Sequence, residues 1–147
     1  MYQRILVTTD GSPLSKKAVR SAIGLAAALD AELVALNVVP RYPMSYFEGN
    51  VSISLQEVGR IEKQWATEGQ AMVDAVQQAA QAEGIPAKAV VARSNLVAEA
   101  IMAAAKKHKC DLIVMASHGR KGIKRVLLGS ETQQVLAHST TPVLVLR

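Results

Sequence analysis

Short apolar segments alternate with amphipathic helical segments along this chain, and this alternation constrains its fold more than any other feature. The apolar segments lie at residues 4–9, 32–39, 87–92, 111–116 and 142–146. They are apolar almost throughout rather than at every second position, which predicts strands buried on both faces. Helices between such strands act as crossover connections. We therefore expect an α/β fold with an open five-stranded parallel sheet and helices on both faces.

The order of the strands follows from the handedness of the connections. Right-handed crossovers leave few arrangements, and the commonest five-stranded one has the order 3-2-1-4-5. Its switch point, where a ligand crevice forms, lies between strands 1 and 4. The chain has 147 residues, of which 50% are hydrophobic. That length predicts a single domain spanning residues 1–147.

Capping residues predict where several helices begin and end. Ser94 or Asn95 is expected to cap the third helix, and Ser130 with Gln133 forms a capping-box pattern at the fourth. Gly84 is expected just beyond the end of the long second helix, where glycine readily takes a positive φ.

Composition limits the compartment and the partners. Cys110 is the one cysteine, so no disulfide can form within the chain, and we expect a passive buried thiol in a reducing compartment. No signal peptide precedes the first strand, and no apolar run reaches the roughly 18 residues that a membrane span needs. We expect a cytoplasmic protein without a membrane partner. The net charge of +5 suits anionic partners, but one Phe and one Trp are too few for the pattern of a nucleic-acid binder.

Several common catalytic and cofactor motifs are absent from the sequence. It contains no P-loop, no G-x-G-x-x-G after the first strand and no G-x-S-x-G elbow. The three histidines show no metal-ligand spacing with cysteines or carboxylates.

Two polar, glycine-containing turns follow the strands that flank the switch point. The first is Thr8-Thr9-Asp10-Gly11-Ser12, and the second runs from Ala116 to Gly119 and resumes at Gly129-Ser130. Glycines allow close approach of a ligand to the backbone, and the start of the helix after Gly129 offers free N–H groups to an anion. Four basic residues add positive charge nearby: Arg120, Lys121, Lys124 and Arg125. Either these features form a phosphate cradle, or the glycines only make turns and the basic residues form a solvated loop.

The same residues carry a resemblance to a known family. The segments 5–12, 115–119, 127–130 and 141–145 resemble the signature of the universal stress protein family. Its nucleotide-binding branch has glycine, two residues, glycine, nine residues, glycine and then Ser or Thr. This chain has Gly119, nine residues, Gly129 and Ser130, but Ala116 takes the position of the first glycine.

This resemblance implies a Rossmann-like fold of the adenine nucleotide alpha hydrolase type and binding of ATP or AMP, with Mg²⁺ or Mn²⁺ bridging the phosphates. Asp10 would lie near the ribose or that metal. Thr8 and Thr9 would line the adenine side, and the backbone of Val38 would bond to adenine. The phosphates would be wrapped by Ala116, His118, Gly119, Arg120, Gly129, Ser130 and Glu131.

Each of these roles has a simpler alternative. Asp10 could make only an Asx-turn, Val38 could belong to the core, and His118 could lie in a loop without a ligand.

Three functions follow as hypotheses. The first is a nucleotide-binding module that acts in the stress response and passes its bound state to an unknown protein partner. The second is a weak ATPase or phosphotransferase that uses His118 and Asp10. The third is a nucleotide-free dimeric interaction protein. Strand 142–146 is apolar on both faces and lies at the sheet edge, which predicts a homodimer through this strand, as the resemblance also implies.

Overall fold

The computed structural model describes residues 1–42, 54–119 and 128–147. Strands and helices alternate in these ranges as β1 (Arg4–Thr8), α1 (Pro13–Leu29), β2 (Glu32–Val39), α2 (Leu55–Ala82), β3 (Ala87–Arg93), α3 (Val97–Lys107), β4 (Leu112–Ala116), α4 (Ser130–His138) and β5 (Val143–Leu146). All strand pairs are parallel, and the sheet has the order β3-β2-β1-β4-β5. The predicted Rossmann-like α/β fold and strand order are confirmed.

Apolar side chains fill the space on both sides of the sheet. Ile5 and Val7 of β1 pack on the side covered by α1 and α2. Leu6, between them, packs on the side covered by α3 and α4. Because successive strand residues point to opposite faces, a strand buried on both faces is apolar at nearly every position. This explains the uninterrupted apolar segments of the sequence.

The end of α2 follows the prediction. Gly84 has a φ of +77°. Its N–H donates to Gln81 O at 2.9 Å, and the N–H of Ile85 donates to Ala80 O at 3.0 Å. These two bonds form a Schellman motif, which satisfies carbonyls that the helix leaves unpaired.

The predicted cap of α3 is wrong. Leu96 occupies the N-cap position and makes no side-chain capping bond. The hydroxyl of Ser94 instead accepts from the Leu96 N–H at 3.0 Å, and Asn95 Oδ1 accepts from the Arg41 N–H at 2.8 Å. Both side chains therefore serve the loop before the helix rather than its first turn.

The predicted capping box at α4 is also wrong. Gly129 is the N-cap, with an extended φ of −69° and ψ of 163°, so that Ser130 is already the first helical residue. Gln133 donates from Nε2 to Leu128 O at 2.9 Å instead of reaching back to Ser130.

Two further predictions from composition can be compared with the described residues. Cys110 is buried, as expected, and burial raises the pKa of its thiol to about 11. In the described ranges, the helices are too short or too polar to cross a membrane.

Candidate functional site

A cleft of about 1240 Å³ lies at the carboxyl ends of β1, β2 and β4, beside the start of α4. Ten residues predicted to form the site line this cleft together: Thr8, Thr9, Asp10, Val38, Ala116, His118, Gly119, Gly129, Ser130 and Glu131. Arg120 and the other three basic residues of the predicted cradle lie outside the described residues.

The turn after β1 is held by hydrogen bonds of its own side chains. Asp10 Oδ1 accepts from the Ser12 N–H at 2.9 Å, which makes the Asx-turn that was the simpler alternative for this residue. Gly11 takes a φ of +79°, and its N–H donates to Thr9 Oγ1 at 3.3 Å. Thr9 Oγ1 also shares a hydrogen bond with Ser15 Oγ at 3.2 Å. The turn therefore keeps one oxygen of Asp10 on the backbone and places the other toward β4.

The two glycine turns meet at Asp10. A Cβ atom built on Gly119 would lie 2.6 Å from Asp10 Oδ2, closer than a real side chain can approach. Gly119 does not have a positive φ, because the described glycines with positive φ are Gly11 and Gly84. Its role is therefore to leave space, which lets the carboxylate of the first turn pack against the backbone of the second.

Gly129 provides close packing in the same way. Its N–H donates to Ser117 O at 2.6 Å. A Cβ atom here would lie 3.3 Å from both His118 Cα and Ser117 O, which is tight contact with backbone atoms that cannot rotate away. A larger side chain would therefore push against the backbone or extend into the cleft.

Thr132 anchors the start of α4 to the end of β4. Its buried hydroxyl lies 3.0 Å from Ala116 O and 3.1 Å from Ser117 O. Among the described residues no side chain caps the helix at Gly129, whereas Ser12 caps α1 by accepting from the Ser15 N–H at 3.2 Å. The first N–H groups of α4 are thus held in place at the cleft without a side-chain acceptor, which suits an anion.

Alanine at position 116 is compatible with this backbone. Ala116 is the last residue of β4 and pairs with Leu146 of β5. Among the described non-glycine residues, positive φ occurs only at Asp30 and Lys109. The missing glycine therefore costs no backbone strain at Ala116.

One wall of the cleft was missed by the sequence prediction. It consists of Trp65, Gly69 and Met72 of α2 together with Asn37 of β2. The Asn37 side chain donates from Nδ2 to Thr9 O at 2.7 Å. A lone asparagine inside an apolar strand was the available signal, because a buried amide needs a partner.

The charges of the described lining are mostly negative. Asp10, Glu68 and Glu131 contribute carboxylates, and His118 and His138 are the basic side chains present in that lining. The described residues contain no group of three potential ligands that could hold a metal ion on its own. Within the described lining, an anion would thus be held by backbone N–H groups, by a metal that also takes ligand oxygens, or by both.

His118 is not oriented as a general base in the described part of the chain. Its Nδ1 shares a hydrogen bond with the adjacent Ser117 hydroxyl at 3.2 Å, and no described carboxylate bonds to the ring. Catalytic histidines usually have an orienting partner of that kind.

Comparison with known proteins agrees with this arrangement. The family model of the universal stress protein family matches residues 1–147. Universal stress protein MJ0531 of Methanocaldococcus jannaschii is 33% identical over 147 residues, which cover 100% of this chain and 83% of the relative. The solved structure of MJ0577, from the same organism, superposes with a TM-score of 0.84 at 25% identity and covers 99% of this chain and 96% of that one. A universal stress protein solved in complex with cAMP superposes at 0.71 with 26% identity, covering 99% of this chain and 97% of that one. The chain therefore belongs to the universal stress protein family.

Proposed function

We propose that this protein is a binding module for an adenine nucleotide, ATP or AMP, in the cleft at the carboxyl edge of the sheet. The observation that carries the proposal is the meeting of the two glycine turns at the start of α4, where a Cβ at Gly119 would lie 2.6 Å from Asp10 Oδ2 and a Cβ at Gly129 would be in tight contact with the backbone of Ser117 and His118. The relative solved with cAMP supports an adenine nucleotide as the ligand class.

The orientation of the nucleotide follows from the chemistry of the lining. The phosphates would lie at Gly129 and Ser130, which line the cleft where α4 begins without a side-chain cap. The base would lie toward Thr8 and Val38, at the ends of the two strands on the other side of the switch point. Asp10, between these regions, would then face the ribose or a metal on the phosphates.

A divalent cation would resolve the charge conflict in this cleft. The carboxylates of Asp10 and Glu131 would repel a triphosphate that is bound alone. Mg²⁺ or Mn²⁺ needs only one or two protein carboxylates when phosphate oxygens complete its coordination. We expect this metal to arrive with the nucleotide, with Asp10 as its protein ligand.

Nucleotide content of the purified protein is the first test. Protein purified quickly and then denatured should release ATP or AMP in near-stoichiometric amount. Release of no nucleotide, together with no binding of added ATP, would favour a nucleotide-free interaction protein instead.

Gly129→Val tests the cradle itself. At a ligand concentration about 100 times Kd, ATP should stabilise the wild-type fold by about 2.7 kcal/mol. That gain raises Tm by roughly 5–10 °C in a domain of this size. The variant should stay folded and lose this shift. Gly24→Val is the matched control, because a Cβ at Gly24 meets nothing within 4 Å. An unchanged ATP shift in Gly129→Val would refute the assignment.

We assign binding rather than catalysis, because His118 has no described orienting carboxylate. Overnight incubation with ATP and analysis of the products separates the two. Steady turnover that disappears in His118→Ala would establish the weak ATPase or phosphotransferase.

We propose that the nucleotide-bound protein acts in the cytoplasm, where it signals to a protein partner in the stress response. If a strain that lacks this protein survives a given stress poorly, the wild-type gene should restore its survival and the Gly129→Val gene should not. Equal rescue by both genes would separate the stress role from nucleotide binding.

We also propose a homodimer through the edge of β5. Leu144 is 40% exposed at this edge. The carbonyls of Pro142 and Leu146 bond inward, to Ile113 and Ser117 of the neighbouring segment. By the alternation of a parallel ladder, the backbone groups of Val143 and Val145 face outward, where a second copy could pair with them.

Leu144→Lys should weaken this dimer and leave the fold intact, because the side chain is already partly exposed. Val143 and Val145 are poorer test positions, since both pack against the core on the α3 and α4 side. Leu136→Lys, at a 44% exposed position on α4, is the matched control. Light scattering at tens of micromolar should find a dimer for the wild type and the control. A monomeric wild type would refute the proposal.

A further inference from the structure

A second cavity lies at the amino ends of the strands, opposite the nucleotide cleft at their carboxyl ends. It has a volume of about 430 Å³ and lies at the amino ends of β1, β2 and β3, beside the end of α3. Glu32, the first residue of β2, lines this cavity, whereas Val39, the last residue of β2, lines the nucleotide cleft. At about 3.3 Å per residue, the length of β2 separates the two sites by roughly 23 Å.

The charge of this second cavity is strongly positive. Its charged lining consists of Arg4, Lys88, Lys107 and Lys109 against the single carboxylate of Glu32. The Arg4 guanidinium lies 2.7 Å from Glu32 Oε2, so these two charges offset one another. The three lysines have no ion-pair partner among the described residues, where the recorded ion pairs are Arg4–Glu32 and Arg93–Glu62.

These lysines come from two parts of the chain. Lys88 is near the start of β3, whereas Lys107 ends α3 and Lys109 lies two residues beyond it. Like charges that share one concave surface repel one another, and an anion held between them removes that cost. The nucleotide cleft differs in this respect, because its described lining contains no Lys or Arg.

The environment of His108 is consistent with this field. Burial is the main reason why the pKa of His108 lies below its usual value, and the charges of Lys88, Lys107 and Arg4 lower it further. An anion bound in the cavity would offset these positive charges and raise the pKa of the His108 ring.

Lys109 holds its position in a conformation that favours glycine. It has a φ of +55°, and its N–H donates to Lys106 O at 3.1 Å at the end of α3. The equivalent position at the end of α2 is Gly84. A lysine at this position costs conformational energy that glycine would not cost, and it places a third ammonium group beside the cavity.

We propose that this cavity binds a small anion that carries at least two phosphate groups, held between Lys88, Lys107 and Lys109. The volume falls in the range of roughly 300–1000 Å³ that is typical of small-molecule sites. The ligand needs several charges because three separate lysines line the cavity. This site is independent of the proposed nucleotide function.

Inorganic pyrophosphate is the probe, titrated into the full ¹⁵N-labelled chain at low ionic strength. Amide shifts at Lys88 and at residues 107–109 should saturate with one common Kd, and the ring pKa of His108 should rise. Lys107→Ala should weaken binding about threefold, as expected for one exposed charge pair. Lys106→Ala is the matched control, because Lys106 lies in the same helical turn but does not line the cavity.

Lys109→Gly separates a ligand role from a structural one. It should weaken pyrophosphate binding and at the same time raise Tm, because glycine takes a φ of this sign without strain. Shifts confined to Gly119 and Gly129 would overturn the proposal by placing pyrophosphate in the nucleotide cleft alone. Shifts that do not saturate, or equal losses in Lys106→Ala and Lys107→Ala, would overturn it by showing only a diffuse positive surface.

Discussion

Two glycines of α2 should respond oppositely to the same substitution. Gly59 lies on the exposed side of the helix, where an added Cβ would meet nothing within 4 Å. Gly69 is buried, and an added Cβ would lie 2.5 Å from Asn37 Oδ1 and 2.8 Å from Val39 Cγ1. The helix therefore approaches β2 closely only because residue 69 has no side chain.

The expected magnitudes follow from these distances. Gly59→Ala should stabilise the protein by about 0.5–1 kcal/mol through helix propensity alone. Gly69→Ala gains the same amount of stability from helix propensity but loses about 1–3 kcal/mol of stability because the added methyl group overpacks the contact with β2. It also displaces the Asn37 amide, whose bond to Thr9 O is worth about 0.5–1.5 kcal/mol. The net effect is a loss of about 1–3 kcal/mol, with Tm falling by roughly 2–4 °C per kcal/mol.

Thermal and urea unfolding of both variants provide the assay, and ATP titration of each connects the result to the cleft. Gly59→Ala should bind ATP as the wild type does. Gly69→Ala should bind it more weakly, since Asn37 holds the carbonyl of Thr9 at the edge of the site. Equal stability of the two variants would show that α2 does not pack on Asn37 in solution, and the reasoning about this wall would be refuted.

Three further predictions concern single ionisable side chains. Asp10→Asn should keep the Asx-turn acceptor and lose only the Mg²⁺-dependent part of ATP affinity. Asp10→Ala should also lower the free energy of unfolding by about 1 kcal/mol, because the turn loses its acceptor. Equal losses of ATP affinity in Mg²⁺ and in EDTA would argue against metal binding by Asp10. Because the pKa of His108 in the folded protein lies below its ordinary value of 6.5, the unfolded chain takes up a proton at His108 at a higher pH than the folded protein does. Stability should therefore fall from about pH 7 to about pH 5. His108→Gln should flatten that fall in urea titrations, and an unchanged slope would contradict the assignment. Cys110, with its pKa raised to about 11, should react with Ellman's reagent only after denaturation, so rapid reaction of the native protein would contradict its burial.

The sequence was sufficient to predict the sheet because the determining signal is local. Each strand is apolar on both faces, and each crossover is a helix, which together allow few topologies. The same topology places the turns after β1 and β4 side by side, so the cleft could be expected from Asp10, Gly119 and Gly129 before their contacts were known. The assigned roles of those residues stay predictions.

Other features could not be predicted because they depend on packing between distant segments. The wall formed by Gly69 against Asn37 requires the register of α2 on β2, which no local pattern reveals. The start of α4 at Ser130 was predicted, but its cap was placed one residue too late, because Gly129 rather than Ser130 takes the extended N-cap conformation and its N–H bonds to Ser117 O. Lys88 of the second cavity also meets Lys107 and Lys109 only in the folded chain.

The proposed nucleotide site and the proposed dimer edge share one peptide segment. Ser117 O accepts from the Gly129 N–H at 2.6 Å, and the Ser117 N–H donates to Leu146 O at 2.7 Å. A phosphate that orders Gly129 would therefore also order Ser117, whose N–H bonds to Leu146, the last residue of β5. If dimerisation orders the same segment, the entropy lost in ordering it is lost only once when both nucleotide and partner bind. Nucleotide binding should then raise the affinity of dimerisation, and dimerisation should raise the affinity for nucleotide by the same factor. Because Ser117 bonds to both Gly129 and Leu146, the proposed nucleotide binding and the proposed assembly would be coupled through this one segment rather than by a long path through the core.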